Sequence, residues 1–122
     1  MAAPKVVQTA VTDEEHFKSL VYAPEEPRLF VVDVFTAPWG PCKIMLPAFA
    51  SLAPLIDDFE ERCQLLTADA ALVPELNKHS ATSRPKFLFY KDGALVKEIT
   101  GADAPAVTKA IFSLVPDAPR PS

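Results

Sequence analysis

The chain has little glycine, little cysteine and less positive than negative charge. It has three glycines against 13 prolines, and no internal repeat or low-complexity segment precedes the proline-rich C-terminal end. Two cysteines are too few for a secreted disulfide framework and form no zinc-ligand spacing, so we expect reduced thiols and no metal. Twelve Lys and Arg against 16 Asp and Glu give a net charge of −4, with no basic stripe. We therefore expect neither nucleic acid nor an anionic membrane as a partner.

Long apolar runs are also missing. The N-terminal residues lack the apolar core of a signal peptide, and no stretch approaches the roughly 20 residues of a membrane span, so we expect a cytoplasmic protein. With 49% hydrophobic and 23% charged residues among 122, the composition suits one domain with one core. We predict a domain over residues 1–115 and a proline-rich tail over 116–122.

The first half of the chain alternates strand and helix patterns. A β-branched run over 5–9 precedes a capping box, Thr12 with Glu15, which predicts a helix start. Leu29–Phe35 is a nearly continuous apolar strand of the kind buried on both faces. One long helix is predicted over 41–62, with a kink at Pro47 and a second one possible at Pro54. Its apolar residues recur at steps of four and three: Met45, Phe49, Leu52, Ile56 and Phe59.

The second half completes an α/β pattern. A strand over 63–68 and a short helix over 72–80 precede two further strands, Lys86–Lys91 and Ala94–Thr100, joined by a two-residue hairpin turn. A last helix is predicted over 104–115. The order βαβαβαββα predicts a mixed sheet with helices on both faces.

Two separated motifs carry a family resemblance. The segment 32–43, Val-Asp-Val-Phe-Thr-Ala-Pro-Trp-Gly-Pro-Cys-Lys, resembles the strand, active-site loop and helix start of the thioredoxin family. Arg84 and Pro85 before Lys-Phe-Leu-Phe-Tyr-Lys-Asp-Gly resemble the family's cis-proline, strand and turn, and Gly101 matches a family glycine. The resemblance implies the thioredoxin fold, a mixed five-stranded sheet flanked by four helices.

The chain departs from this family at the reactive cysteine. Where the family reads Trp-Cys-Gly-Pro-Cys-Lys, this chain reads Pro38, Trp39, Gly40, Pro41, Cys42 and Lys43. Trp39 thus replaces the cysteine that attacks the substrate disulfide, and only the resolving position, Cys42, is retained. We therefore assign no catalytic residue; Cys42 is the candidate residual thiol, and no cofactor is expected. Cys63 is predicted to lie far from Cys42 and to be a small buried apolar residue.

Other positions of the resemblance have two interpretations each. Asp33 matches the family's buried acid: it either assists proton transfer to a thiol or is a vestigial core acid. The next strand offers it no lysine, so its pKa is expected to be raised if it is buried. Pro85 and Arg84 match the peptide groove; Trp39 and Arg84 either cover a groove that no longer functions or anchor a protein partner.

The C-terminal part narrows the resemblance. Gly101, Ala102, Asp103, Ala104 and Pro105 resemble a stretch in thioredoxin-like light chains of ciliary outer-arm dynein, and in thioredoxin modules fused to nucleoside diphosphate kinase domains. The resemblance implies a non-catalytic protein-binding module. Its expected partners are dynein heavy or intermediate chains, and its expected location is the axoneme of a cilium or flagellum. The alternatives are a monothiol redox protein or thiol sensor using Cys42, and a chaperone using the groove around Pro85.

Overall fold

The computed structural model describes residues 8–22, 28–36, 45–57, 59–79 and 86–116. Five strands and four α-helices alternate along these ranges. Their bounds are β1 Gln8–Ala10, α1 Glu14–Val21, β2 Leu29–Phe35, α2 Leu46–Leu52, α3 Phe59–Arg62, β3 Cys63–Asp69, β4 Lys86–Lys91, β5 Ala94–Thr100 and α4 Ala104–Leu114, with 3-10 helices at Ala53–Leu55 and Pro74–His79.

The strands form one mixed sheet in the order β1-β3-β2-β4-β5. β3 runs parallel to both β1 and β2, whereas β4 runs antiparallel to β2 and to β5. The connection between the parallel neighbours β2 and β3 contains helices, whereas the antiparallel pair β4–β5 is joined by a tight turn. This is the predicted thioredoxin fold, and the predicted bounds of β2, β4 and β5 are confirmed.

The sheet separates two apolar clusters because successive strand residues point to opposite faces. One cluster lies under α2, α3 and α4, and the other under α1 and the 3-10 helix Pro74–His79. The first cluster contains Leu29, Val31, Met45, Phe49, Leu52, Ile56, Phe59, Cys63, Leu65, Phe87, Phe89, Val107, Ala110 and Ile111. The second contains Val11, Phe17, Val21, Phe30, Val32, Val34, Leu66, Ala68, Ala70, Val73, Leu76, Leu88 and Tyr90.

The prediction of one long helix over 41–62 was wrong in its described part. α2 ends at Leu52, a 3-10 turn follows, and Ile56 has extended backbone angles (φ −120°, ψ 112°) before α3 begins. Pro47 lies in the first turn of α2, where its missing N–H costs nothing, so it does not kink the helix. Pro54 lies where the α-helix has already become a 3-10 turn.

The cap of α1 also differs from the prediction. The N-cap is Asp13, whose carboxylate accepts the N–H of His16 at 2.8 Å, and the predicted pair of Thr12 and Glu15 does not form the box. The Thr12 N–H in turn donates to Nδ1 of His16 at 3.0 Å. His16 thus completes a reciprocal cap.

The β4–β5 turn has the predicted residues. Asp92 and Gly93 both have positive φ, 54° and 78°, as a two-residue hairpin turn requires. A register shift lies opposite the start of β5, between Phe89 and Tyr90. The predicted helix over 72–80 is the 3-10 helix Pro74–His79. No helix in the described ranges is long and apolar enough to cross a membrane.

Candidate functional site

Most residues of the predicted site lie outside the described ranges. They are Pro38, Trp39, Gly40, Pro41, Cys42, Lys43, Arg84 and Pro85. The assignment of these eight residues to a former active-site loop and groove stays a prediction. Asp33 is the predicted site residue that the structure describes.

The described residues next to these two segments meet at one edge of the sheet. β2 ends at Phe35, just before the segment that contains Trp39 and Cys42, and β4 begins at Lys86, just after Pro85. β2 and β4 are antiparallel, so the end of β2 lies beside the start of β4, and Val34 pairs with Lys86. The Phe35 carbonyl also accepts the N–H of Ala70 at 2.9 Å, which joins the end of β3 to the same edge. The fold therefore anchors the flanks of both predicted segments close together.

Asp33 lies two residues inside this edge and is buried, with 1% of its surface exposed. Its register partners are Thr67 on β3 and Phe87 on β4. Its position in the alternation of β2 places it on the sheet face that α2 and α4 cover. The predicted burial of this acid is confirmed. Neither β2 nor β3 contains a lysine or arginine, so neither strand places a cation beside it.

Cys63 is placed far from this edge. It begins β3, opposite Leu29, while Phe35 and Asp69 pair at the other end of the same ladder, about 20 Å away at roughly 3.3 Å per residue. Its thiol is 2% exposed, and burial raises its pKa to about 12. The predicted role of Cys63 as a small core residue is confirmed. A thiol that is both buried and protonated is a poor nucleophile.

The described residues offer no metal site. Within the ranges given above, no three His, Cys, Asp or Glu side chains come together in a way that could hold an ion.

A cluster of aromatic rings fixes the C-terminal end of α1. Phe17, Tyr22 and Tyr90 contact one another edge to face, with ring centroids 5.5 to 6.1 Å apart. The Tyr22 hydroxyl donates to the Glu75 carboxylate at 2.5 Å. Burial, and then the hydrogen bond to Glu75, raise the pKa of Tyr22 to about 12, and burial raises the pKa of Tyr90 as well. The cluster ties α1 to β4 and to the helix Pro74–His79.

Several large apolar side chains are exposed, and the sequence analysis missed them as candidates for binding. Two lie in α2 and in the 3-10 turn after it: Leu46 is 39% exposed and Leu55 is 68% exposed. The others are Tyr22, Leu72, Leu95, Val96 and Phe112. The signal for the first two was in the sequence, because residues 44–56 contain no charge.

Comparison with known proteins agrees with this geometry. The family model named Thioredoxin matches residues 8–113. The Dynein 16 kDa light chain of the flagellar outer arm of Chlamydomonas reinhardtii is 36% identical over 72% of this chain, which spans 58% of the length of that protein. The Dynein 14 kDa light chain of the same outer arm is 30% identical over 93% of this chain and 86% of its own length.

The solved structures show the same fold. A crystal structure of thioredoxin from Malassezia sympodialis superimposes with a TM-score of 0.71 at 19% identity, covering 93% of this chain and 96% of that one. This likeness concerns the fold alone. With the matched family model and the similarity to the outer-arm proteins, it leads to one conclusion: the chain belongs to the thioredoxin family and is homologous to light chains of flagellar outer-arm dynein.

Proposed function

We propose that this chain is a non-catalytic, protein-binding thioredoxin-fold subunit, a light chain of an axonemal outer-arm dynein. Its partner is a heavy or intermediate chain of that complex, and its place is the axoneme of a cilium or flagellum. The similarity to the 14 kDa outer-arm light chain carries the proposal, because it extends over 93% of this chain and 86% of that protein. The match extends over nearly the whole of both chains, so it supports the proposal at the scale of the whole subunit.

The cysteine chemistry supports binding over catalysis. The family's disulfide exchange needs an exposed attacking thiolate and a second thiol close by. In this sequence Trp39 stands at the attacking position, and Cys63 is buried with a raised pKa. Without a pair of thiols, a mixed disulfide with a substrate would have no internal resolving partner.

The rigidity of the central sheet supports stable, non-covalent binding of a partner. β2 is buried and paired on both sides, with β3 and β4, so the edge that flanks the two predicted groove segments is held by ladders over the whole strand. A rigid element presents a binding surface with little ordering cost when a partner associates. Loss of the attacking cysteine would leave such a surface able to bind without forming a covalent intermediate.

Extraction and sedimentation test the proposal. Axonemes of the organism that makes this chain are extracted with high salt, and the extract is separated on a sucrose gradient. We expect the chain to sediment with the outer-arm heavy chains at a fixed ratio. Sedimentation at the position of a free 13.3 kDa protein would overturn the proposal.

A thiol-disulfide assay distinguishes the alternative of a monothiol enzyme that uses Cys42. We expect the purified chain to leave insulin disulfides unreduced in the presence of a thiol reductant, and Trp39→Cys to gain turnover. Turnover by the wild-type chain that disappears in Cys42→Ser would establish the monothiol activity instead.

A further inference from the structure

The outward side of α2 and of the 3-10 turn after it carries no charge. We call this surface the α2 face and define it by Leu46, Pro47, Ser51, Pro54 and Leu55, all of which are exposed. It belongs to the longest uncharged stretch of the chain, residues 44–56. The outward side of a surface helix is normally polar or charged.

The α2 face also has almost no free hydrogen-bonding groups on its side chains. Ser51 is its one polar side chain, and its hydroxyl donates to the Pro47 carbonyl at 3.0 Å. The two prolines have no N–H to offer. A partner that covers this face therefore meets methyl and methylene groups and has few polar groups to satisfy.

The other side of α2 is buried in the core of this chain. Phe49 and Leu52, on the inward side of α2, are each 1% exposed and belong to the core. The helix therefore has apolar residues on both sides, and one side is covered by this chain. Covering the exposed leucines with apolar groups of a partner would be favourable, because it removes apolar surface from water.

The size of the α2 face argues against a second copy of this chain as its occupant. Ten residues at about 1.5 Å each give a strip about 15 Å long, which at a helix width of about 10 Å covers about 150 Å². A stable dimer buries about 800 Å² per partner. The face is large enough for one helix of a partner that is held at other points too, as in a complex of several subunits.

The charged residues that follow the α2 face indicate which charge the partner helix would carry. The α2 face leads into residues 57–62, which contain four acids and one arginine. Asp57 and Glu61 are exposed. The guanidinium of Arg62 donates to the backbone carbonyls of Asp57 and Pro116 at 2.9 and 2.8 Å. With four acids against this one arginine, the segment that follows the strip has a net charge of −3.

From these observations we infer that the α2 face docks an amphipathic helix of another dynein subunit, whose uncharged apolar stripe leads into lysine or arginine residues beside Asp57 and Glu61. This inference rests on the proposed function and assigns it a surface. The partner helix would lie with its apolar stripe across the α2 face, between Leu46 at one end and Leu55 at the other. The basic residues would fix its direction and speed its association.

Reassembly with matched variants tests the inference. Outer-arm dynein freed of this chain is mixed with the recombinant protein, and binding is measured by sedimentation. Leu46→Glu and Leu55→Glu should each weaken binding at least tenfold. Leu95→Glu is the control and should change binding less than twofold. Leu95 is 40% exposed, as Leu46 is at 39%, and it pairs with Tyr90, which belongs to the cluster on the opposite face of the sheet. Far-ultraviolet circular dichroism confirms that each variant is folded.

Two further readouts test the contact and its charge. Hydroxyl-radical labelling of Leu46 and Leu55 should fall on reassembly while labelling of Leu95 stays constant. Reversal of charge at Asp57 and Glu61 to lysine should slow association, and this difference should shrink at high salt.

The outcomes separate the inference from the proposed function. If the wild-type chain does not bind the dynein particle, the proposed function fails and the inference fails with it. If the wild type binds and both leucine variants bind equally well, the light-chain role stands and the α2 face is not its dock. A stable dimer of the purified chain that Leu55→Glu dissolves would assign the face to a second copy and overturn the proposed occupant.

Discussion

Helices α1 and α2 are of similar length and cover opposite faces of one sheet, yet their outward sides differ. α1 is capped by Asp13, carries an ion pair between Glu14 and Lys18, and ends in a cluster with Glu75. α2 has no side-chain cap and no charged residue. α1 therefore has the features of a helix that faces water, whereas α2 is stabilised by its core side chains and leaves its outer side apolar.

This difference is one basis for the docking surface that we propose on α2. Caps and ion pairs stabilise a helix in water without any partner. α2 has none of them, and the 3-10 turn after it exposes Leu55 at 68%, so burial of this surface by a partner would be favourable. On this account α1 is complete within the monomer and α2 is completed by a partner.

The largest effect is expected inside α2. Phe49→Ala should lower the free energy of unfolding by about 3–5 kcal/mol, because Phe49 is 1% exposed and its ring meets that of Phe87 edge to face. Urea unfolding monitored by circular dichroism measures the loss. Leu55→Ala, in the same region but exposed, is the control and should change stability by less than about 0.5 kcal/mol. Equal losses in the two variants would mean that Leu55 belongs to the core.

A smaller effect is expected at the cap of α1. Asp13→Ala should cost about 1 kcal/mol, because the His16 N–H loses the carboxylate that accepts it at 2.8 Å. Asp57→Ala removes an exposed acid near α2 and should cost less than about 0.5 kcal/mol in the same unfolding experiment. If Asp13→Ala unfolds at the wild-type denaturant concentration, the cap does not stabilise α1.

The tyrosine cluster gives the α1 side a dependence on alkaline pH. Tyr22 has a pKa of about 12 in the folded chain against 10 when unperturbed, so the unfolded chain loses this proton first as pH rises. The stabilising contribution is therefore complete below pH 10 and is lost as pH rises towards 12. Absorbance at 295 nm can follow both tyrosines of the chain, Tyr22 and Tyr90. A native titration centred near pH 10 would contradict the buried cluster.

The smallest effect on stability is expected on the outward side of α2. Leu46→Glu and Leu95→Glu should each change the free energy of unfolding by less than about 0.5 kcal/mol, because both side chains are already exposed. We also expect Leu46→Glu to raise the solubility of the chain, because the new charge interrupts the uncharged outward side of α2. A loss of stability confined to Leu46→Glu would place Leu46 in the core rather than on a docking surface.

The sequence predicted the strands better than the helices, for physical reasons. β2 and β4 are continuous apolar runs, and Asp92 with Gly93 fixes the hairpin, so their bounds follow from composition and turn chemistry. Apolar spacing over 45–59 reports which side chains face the core, and that spacing continues across the extended residue Ile56. It cannot show that the backbone hydrogen bonds of the helix stop there. The shift of the cap from Thr12 to Asp13 has a similar origin, because adjacent residues can both cap a helix.

The candidate site was predictable only in part. The burial of Asp33 and of Cys63 followed from their places in apolar strands, and both are confirmed. Apolar periodicity identifies the residues of a helix that face the core, so it did not predict the α2 face. The sequence feature that indicates this face is the absence of charge over residues 44–56. The aromatic cluster was missed because Tyr22, Glu75 and Tyr90 are far apart in the sequence and meet only through the fold.

The central claim is that this chain acts by non-covalent docking rather than by thiol chemistry. A variant without cysteine, with Cys42→Ser and Cys63→Ala, tests it most directly when it is reassembled with outer-arm dynein freed of the native chain. Circular dichroism first establishes that the variant is folded. We expect the variant to sediment with the heavy chains in the same ratio as the wild type. Failure of the folded variant to bind, or release of the wild-type chain from the complex by a thiol reductant, would contradict it.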